Sequence, residues 1–452
     1  MKGGEMALTG IEIYKLLPKT NCKKCGFPTC LAFAMQLAQK KVELSKCPDV
    51  SDEAKQTLEG ASAPPIKLVT VGTGDNAIKV GEETVLFRHE DKFVNPCGVA
   101  IKVNDDMEDG ALGEKLEQIG KLHWTRVGQE IFVNAVALVN ASGDAGKFKA
   151  AAEKVVSGPV KNLILVSDNA ENLIAAADAV KASRPLLHAA NKGNFEKLGE
   201  FCGKNKLPLA VSGESLDEIA EMTPKLKEMG VEEMMIVPVA KGLKETMHEL
   251  TKLRRMAIKK TFRPMGYPTI VDASTGSDDE MEDISVAGIY VAKYAGIVML
   301  ETSEPWKVLP LLTMRQNIYT NPQKPIQVDE KLYEVGEPNE NSPVLFTTNF
   351  SLTYFSVEGE VEASRIPAYI LAVDTEGLSV LTAYSGDKLN EKTVAKALQK
   401  VGLEDKVKHR KLIIPGLVAV MSGKLEEETG WQILVGPKEA SYIPKYLKDT
   451  WS

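Results

Sequence analysis

Four of the six cysteines in this 452-residue chain fall within its first 47 positions. Cys22, Cys25, Cys30 and Cys47 follow the spacing C-x2-C-x4-C-x16-C, with Pro48 after the last of them. Thiolates are soft ligands that suit iron–sulfur clusters and zinc. The loop from Asn21 to Cys30 contains Gly26 and Pro28, which let the backbone turn sharply enough for three sulfurs to converge. Leu31 to Val42 then reads as a helix with an apolar face of Leu31, Ala34, Met35 and Ala38, and Cys47 returns as the fourth ligand. This constellation is read as a [4Fe–4S] centre, which moves electrons. Its order of spacings matches neither common ferredoxin pattern. The alternative is a structural zinc site, but that usually shows two closely spaced cysteine pairs. Lys23, Lys24, Lys40, Lys41 and Lys46 lie nearby in sequence, either as a positive field around the centre or as an ordinary solvated face.

A second set of candidates lies near the other end. Three stretches bear hydroxyls, two of them with glycines, at expected strand ends. The first is Thr347, Thr348, Asn349, Phe350, Ser351, Leu352 and Thr353. The second runs from Asp374 through Thr375, Glu376, Gly377, Leu378, Ser379 and Val380 to Tyr384, Ser385, Gly386 and Asp387. The third is Val435, Gly436, Pro437, Lys438, Glu439, Ala440 and Ser441. Glycine lets a ligand approach the backbone, and strand-end loops of open α/β sheets form the usual ligand crevice. Taken alone, such turns are most often only turns.

The elements that must position these residues follow a regular pattern. Apolar runs at 99–103, 133–139, 163–166, 185–189, 208–211, 234–239, 268–272 and 296–300 alternate with amphipathic segments such as 214–229 and 242–260. Eight short strands alternating with helices predict a (β/α)8 barrel, with an open doubly wound sheet as the alternative. No G-x-G-x-x-G follows the first strand, which weakens a dinucleotide-binding version. Strand-end polar residues include Asn104, Asp105, Asn140, Ser167, Asp168, Asn191, Ser212, Asp272 and Glu301. They form no evident catalytic constellation, so no catalytic residue is assigned. His188 and His248 are lone histidines, and Cys97 and Cys202 read as buried thiols. Beyond the polar, proline-bearing stretch 320–343, strands are expected at 344–348, 368–373, 378–383, 412–414 and 432–435, with helices at 391–401 and 440–448.

The expected organisation is therefore α/β and multidomain. Residues 1–60 form a cluster domain, 61–92 a linker with a hinge at 58–66, 93–324 a TIM barrel, and 325–452 a small Rossmann-like domain. Net charge is −7, so no global basic character points to nucleic acid. No apolar run reaches the length of a membrane span, and the N-terminus lacks a signal-peptide pattern, so a cytoplasmic protein is expected.

The motifs NCKKCGFPTC at 21–30, TTNFSLTY at 347–354, VDTEGLSVLTAYSGDKL at 373–389 and TGWQILVGPKEAS at 429–441 resemble the large subunit of the corrinoid iron–sulfur protein and the related gamma subunit of the acetyl-CoA decarbonylase/synthase complex. The resemblance spans essentially the whole chain. It implies a [4Fe–4S] cluster on Cys22, Cys25, Cys30 and Cys47, and a base-off corrinoid against the three C-terminal loops. Carried over by motif, its contacts would be Thr347, Thr348, Asn349, Thr353, Thr375, Gly377, Leu378, Ser379, Val380, Tyr384, Gly386, Gly436, Pro437 and Ala440. It implies a methyl carrier of the reductive acetyl-CoA pathway, loaded from methyltetrahydrofolate, with the cluster restoring reduced cobalt. The partners implied are a small barrel subunit, a methyltetrahydrofolate:corrinoid methyltransferase, acetyl-CoA synthase/CO dehydrogenase and a reductive activator. None of the five histidines sits in a D-x-H-x-x-G pattern, which agrees with a cobalt that lacks a protein nitrogen ligand. A methyl-pterin:corrinoid methyltransferase subunit and a plain electron-transfer protein are the competing readings.

Overall fold

The computed structural model describes residues 10–38, 42, 44–51, 54, 64–276 and 281–451. Lys40, Lys41, the end of the helix expected to reach Val42 and most of the 58–66 hinge lie outside them. The chain divides into two compact units, one of residues 1–124 and 131–319, the other of 125–130 and 320–452.

Eight parallel strands form the centre of the first unit: β1 Gly98–Asn104, β2 Ala135–Val139, β3 Leu163–Val166, β4 Leu186–Ala190, β5 Leu209–Val211, β6 Met234–Ile236, β7 Ile270–Asp272 and β8 Ile297–Leu300. Sequence neighbours pair from β1 to β6 and from β7 to β8, and β8 returns to β1. A parallel bridge from Ile236 to Thr269 joins β6 to the start of β7. Ile236 N–H also donates to Pro268 O at 2.8 Å. The sheet is thereby closed, and the unit is a (β/α)8 barrel. The strands read as continuous apolar runs because both faces are buried. Small and branched residues (Ala100, Ala137, Ile164, Ala210, Ile297) fill the interior, while Val99, Ile101, Leu138 and Leu165 face the helical ring. Several helices start on side-chain caps, as where Asp144, Asn169 and Ser215 accept backbone N–H groups of the first turn.

Part of the expected linker belongs to this barrel. Val69–Val71 and Ile78–Val80 pair as an antiparallel hairpin. Val69, Val71, Ile78 and Val80 pack among the interior side chains. Polar bonds fix the hairpin at the strand beginnings: Asn162 Nδ2 donates to Asn76 O at 2.7 Å, and Thr70 N to Glu233 Oε2 at 2.5 Å. The N-terminal mouth is thus plugged. The rest of the segment is clamped by Arg254, whose guanidinium meets Glu83 at 2.8 Å. It lies between the Phe93 and Tyr294 rings, 4.6 and 4.5 Å from their centroids. Both charges are almost fully buried. Arg254→Ala would strand the Glu83 carboxylate and is expected to destabilise the unit by about 3–5 kcal/mol. Chemical denaturation measures this, and Arg254→Met with Glu83→Gln should cost less than the single change.

The second unit holds a five-stranded sheet. Its strands are β9 Leu332–Val335, β10 Val344–Thr348, β11 Ala368–Val373, β12 Lys411–Ile414 and β13 Gln432–Val435, in the order β9-β11-β10-β12-β13. All pairs are parallel except β9 with β11. Helices cover both faces. Tyr354, Val361, Ile443 and Leu447 pack on one side with Leu345 and Ile370; Val394, Leu398, Met421 and Trp431 pack on the other with Phe346 and Leu371. The chain moves outward from β10 to β11 and then returns across β10 to β12, so a topological switch point lies between β10 and β12.

Three expectations change here. Residues 378–383, expected as a strand, hold a turn and then the helix Val380–Ser385. Its buried residues, Val380 and Ala383, are three apart, which is a helical spacing. The stretch 347–353, expected as a loop, is strand through Thr348 and helix from Ser351. The polar segment 320–343, expected as a boundary, contains the edge strand β9, and Gln327 bridges Phe350.

Candidate metal and ligand sites

In the N-terminal module, three non-glycine and glycine residues with positive φ, Asn21 (+48°), Lys23 (+62°) and Gly26 (+83°), wind the cysteine loop tightly. Gly26 N–H donates to Lys23 O at 2.9 Å to close the turn. Asn21 Oδ1 accepts Cys30 N–H at 2.8 Å and Thr29 Oγ1 accepts Ala32 N–H at 3.0 Å, so the helix Cys30–Ala38 starts at the third cysteine. Cys47 follows a short 3-10 turn and its N–H reaches Leu44 O at 3.0 Å. Cys30 and Cys47 are buried with Ile13, Leu17, Phe33, Ala34, Leu37 and Leu44, while Cys25 is half-buried and Cys22 exposed.

All six cysteines are free thiols. Burial pushes the Cys47 thiol pKa up, and the charges of Cys25, Cys30 and Cys22 add to the rise, so the four sulfurs lie within electrostatic reach. Among the described residues no three His, Cys, Asp or Glu side chains are grouped so as to hold one metal ion. Asp49 bonds Lys24 Nζ at 3.0 Å and accepts from Cys22 Sγ at 3.5 Å. The hydrogen bond to Asp49 raises the Lys24 pKa, and the same bond holds Asp49 below the usual carboxylate range. Of the nearby lysines, Lys24 is therefore partnered by a carboxylate rather than offering a bare positive charge.

The barrel's strand-end polar groups mostly satisfy one another. Lys102 Nζ bonds Asp272 at 2.9 Å, Glu301 at 3.1 Å and Ser274 Oγ at 3.2 Å. Asp105 accepts from Asn140 Nδ2 and Ser142 Oγ, both at 2.7 Å, and Asn140 Oδ1 accepts from Ser167 and Asn172. His188 is held down in pKa by burial. The Cys97 and Cys202 thiols are fully buried and pushed up to about 12, so they remain protonated and unreactive.

At the switch point of the second unit lies a cavity of about 320 Å³. Its walls come from the ends of β10 and β12, the first turns of the helix Ser351–Ser364, and the loop after β13. Of the residues singled out in the sequence, Thr347, Thr353, Val380, Gly436, Pro437 and Ala440 line it. The lining is otherwise largely apolar: Leu352 falls within the first candidate stretch, while Val357, Ile413, Leu417 and Ile443 were not singled out. Leu352 and Val357 lie on a helix whose start was read as loop, and Ile443 lies in the expected helix 440–448. Leu352 and Leu417 are also exposed, so the cavity opens among apolar side chains. The hydroxyls of Thr347 and Thr348 are buried and have no hydrogen-bond partner. A buried hydroxyl without a partner is costly and marks a place where a ligand can supply one.

Thr348, Asn349, Thr375, Gly377, Leu378, Ser379, Tyr384 and Gly386 do not line the cavity. Asn349 instead organises the neighbouring loop. Its Oδ1 accepts Thr375 N–H at 3.0 Å, Thr375 Oγ1 at 3.2 Å and Gly377 N–H at 3.0 Å. Its Nδ2 donates to Asp374 Oδ1 at 3.0 Å and Gln327 Oε1 at 3.2 Å. Gly377 has φ +76°, and a Cβ there would stand 2.7 Å from Gln327 Cγ, so this turn requires glycine. Asn349→Ala leaves two buried backbone donors unpaired. It is expected to lower the stability of the second unit by about 2–4 kcal/mol, read from urea denaturation. Ser379 begins the helix Val380–Ser385, and its Oγ lies 3.0 Å from Thr382 Oγ1.

A cysteine-bearing module, a (β/α)8 barrel and a doubly wound domain with an apolar switch-point cavity together define a multidomain α/β protein. Residues 68–447 match the family described as CO dehydrogenase/acetyl-CoA synthase delta subunit, and residues 17–48 match one described as a putative Fe-S cluster. The chain is 47% identical to the corrinoid/iron-sulfur protein large subunit of Moorella thermoacetica, over 98% of this chain and 99% of that protein. It is 37% identical to the acetyl-CoA decarbonylase/synthase complex subunit gamma of Methanothermobacter thermautotrophicus, over 98% and 99%. A subunit gamma from Methanopyrus kandleri is 34% identical, over 98% and 97%. The chain belongs to the family of corrinoid/iron–sulfur protein large subunits and their archaeal gamma-subunit relatives. Among the described residues, no helix is long and apolar enough to cross a membrane.

Proposed function

We propose that this chain is a cytoplasmic corrinoid methyl carrier of the acetyl-CoA pathway, equipped with its own [4Fe–4S] cluster. The observation that carries the reading is the pairing, in one chain, of a four-cysteine module with a switch-point cavity that contains an orphaned hydroxyl.

A bound corrinoid supplies a cobalt centre that takes up and gives back a methyl group. A cluster supplies the single electrons that restore a cobalt oxidised by accident. Cys22, Cys25, Cys30 and Cys47 would hold the cluster. The donor chemistry fits, since thiolates suit iron–sulfur clusters, and Cys30 and Cys47 sit in the module's small core with Cys25 packed against it. Cys30 would bind at a helix N-terminus, where the backbone dipole favours negative charge.

The cavity fits one part of a corrinoid. An engineered cavity of about 150 Å³ admits benzene. About 320 Å³ therefore suits the bicyclic base of a corrinoid nucleotide tail with some of its sugar. The macrocycle, with its ring of amide side chains, is too large to enter and would rest at the mouth on Leu352 and Leu417. With the base held in the cavity, the tail nitrogen would be withheld from cobalt, and none of the five histidines lies in a cobalt-binding D-x-H-x-x-G pattern. This supports a base-off state, which eases reduction because reduced cobalt prefers fewer ligands. Residues 1–60, 93–324 and 325–452 would serve as cluster, barrel and corrinoid domains, with the barrel a docking platform for a small barrel subunit.

The partners of the proposed cycle are a methyltetrahydrofolate:corrinoid methyltransferase, acetyl-CoA synthase/CO dehydrogenase and a reductive activator. The test is transfer of label. Corrinoid-loaded protein, incubated with radiolabelled methyltetrahydrofolate and such a methyltransferase, is expected to carry one labelled methyl group per corrinoid and to release it to acetyl-CoA synthase. Absence of label on loaded protein would overturn the carrier role.

A further inference from the structure

Four polar side chains line the cavity, and of these Thr353 is only half-buried, within reach of water. Ser356 Oγ donates to Leu352 O at 2.7 Å within its own helix. Lys438 is exposed, and Pro437 has no N–H to give. Thr347 differs. Its side chain is 1% exposed, it lines the cavity, and its Oγ1 has no partner in the protein. It sits at the end of β10, on the face shared with Leu345, where β10 and β12 diverge: their pairing is confined to Leu345 and Ile413. A hydroxyl so placed can give one hydrogen bond and accept others, and only an occupant of the cavity can meet it without water.

A benzimidazole-type base released from cobalt has the complementary need. Its free ring nitrogen, an acceptor, would be buried among leucine, isoleucine and valine side chains. An acceptor buried without a donor is penalised about as heavily as a donor without an acceptor. Resting on the corrinoid reading above, we propose that Thr347 is a positioning and specificity-determining residue: its hydroxyl donates to the ring nitrogen of the corrinoid's nucleotide base. This bond satisfies both orphaned groups. It also ties up the nitrogen that would otherwise return to cobalt, so the protein favours the base-off form without touching the metal. No bond is made or broken covalently. Selectivity arises because a site built around a buried hydrogen bond rejects ligands that cannot complete it.

The experiment compares two corrinoids on apoprotein: aquocobalamin, which carries the base, and diaquocobinamide, which lacks the nucleotide tail. Affinities are measured by equilibrium dialysis, and the state of the base is read from the optical spectrum of the bound corrinoid. Wild-type protein is expected to bind cobalamin at least about tenfold more tightly than cobinamide and to hold it base-off. Thr347→Val should weaken cobalamin binding by about tenfold and leave cobinamide binding unchanged, since one buried hydrogen bond is worth roughly that factor. Thr347→Ser, which keeps the hydroxyl, should bind cobalamin to within a few-fold of wild type. Valine matches threonine in shape and removes an unpaired hydroxyl, so the variant is expected to fold, as circular dichroism would confirm. The proposal is overturned if Thr347→Val binds cobalamin as wild type does, or if it loses both corrinoids equally while Thr347→Ser does too. Failure of wild-type protein to bind either corrinoid would instead overturn the corrinoid reading itself.

Discussion

Replacing Cys47 with alanine is expected to remove the iron of the N-terminal module and most of its fold. The buried set of this module consists of Ile13, Leu17, Cys30, Phe33, Ala34, Leu37, Leu44 and Cys47, and two of these eight are proposed ligands. A module of about 40 residues buries too little apolar surface to stand alone, and chains of that size usually rely on metals or cross-links. No disulfide assists, because every cysteine is free. With one thiolate missing, the cluster loses a quarter of its protein ligands, and the binding free energy that is linked to folding goes with it. Anaerobically purified Cys47→Ala protein should show iron falling from about four atoms per chain towards zero, loss of the brown absorbance, and rapid proteolysis confined to the first sixty residues. The barrel should remain intact by denaturation. Retention of iron at wild-type level would exclude Cys47 as a ligand.

The second large effect is expected from the cavity. Ala440 lies at its rim, in the short 3-10 turn that precedes the helix Ile443–Thr450. Ala440→Phe adds a ring that can occupy a substantial part of the about 320 Å³ available. A residue inserted into an existing cavity displaces ligand without overpacking a filled core, so folding should be preserved. Corrinoid content after reconstitution should fall at least tenfold, while iron and thermal stability stay near wild type. Because Ala440 is half-buried, the variant's unchanged circular dichroism is part of the prediction. Wild-type corrinoid content in this variant would place the ligand elsewhere.

The parts of this fold legible in the sequence are those governed by strong local patterns. The barrel strands were readable because burial on both faces makes a strand continuously apolar, as in Val99–Val103 and Leu163–Val166. The cysteine loop was readable because four soft ligands at short range are rare by composition. What escaped depends on tertiary partners. The hairpin 69–80 looks like linker because its strands are three residues each and are stabilised by the barrel interior. Strand β9 lies in a polar, proline-bearing stretch, and an edge strand tolerates such composition because only one side must pair. The segment 378–383 shows the opposite failure. Its short apolar run, Leu378, Val380, Leu381 and Ala383, is compatible with either element, and the three-residue spacing of Val380 and Ala383 on the core decides for helix.

The same division holds for the ligand site. Of the residues that the hydroxyl-rich and glycine-bearing motifs singled out, Thr347, Thr353, Val380, Gly436, Pro437 and Ala440 meet at one cavity. Asn349 and Gly377 belong to the scaffold of the adjacent turn, since every polar atom of the Asn349 side chain is committed within the protein. The helix residues Val357 and Ile443 were not singled out as lining, because apolar lining is indistinguishable from core until the sheet order places a switch point beside it.

The most direct measurement is the metal content and optical spectrum of the full chain, purified without oxygen together with its natural partner subunit. Close to four iron atoms and one cobalt per chain are expected, with a broad iron–sulfur absorbance overlaid by corrinoid bands of the form that lacks a lower nitrogen ligand. Protein with zinc in place of iron, or with iron but no cobalt even after incubation with corrinoid, would contradict the account.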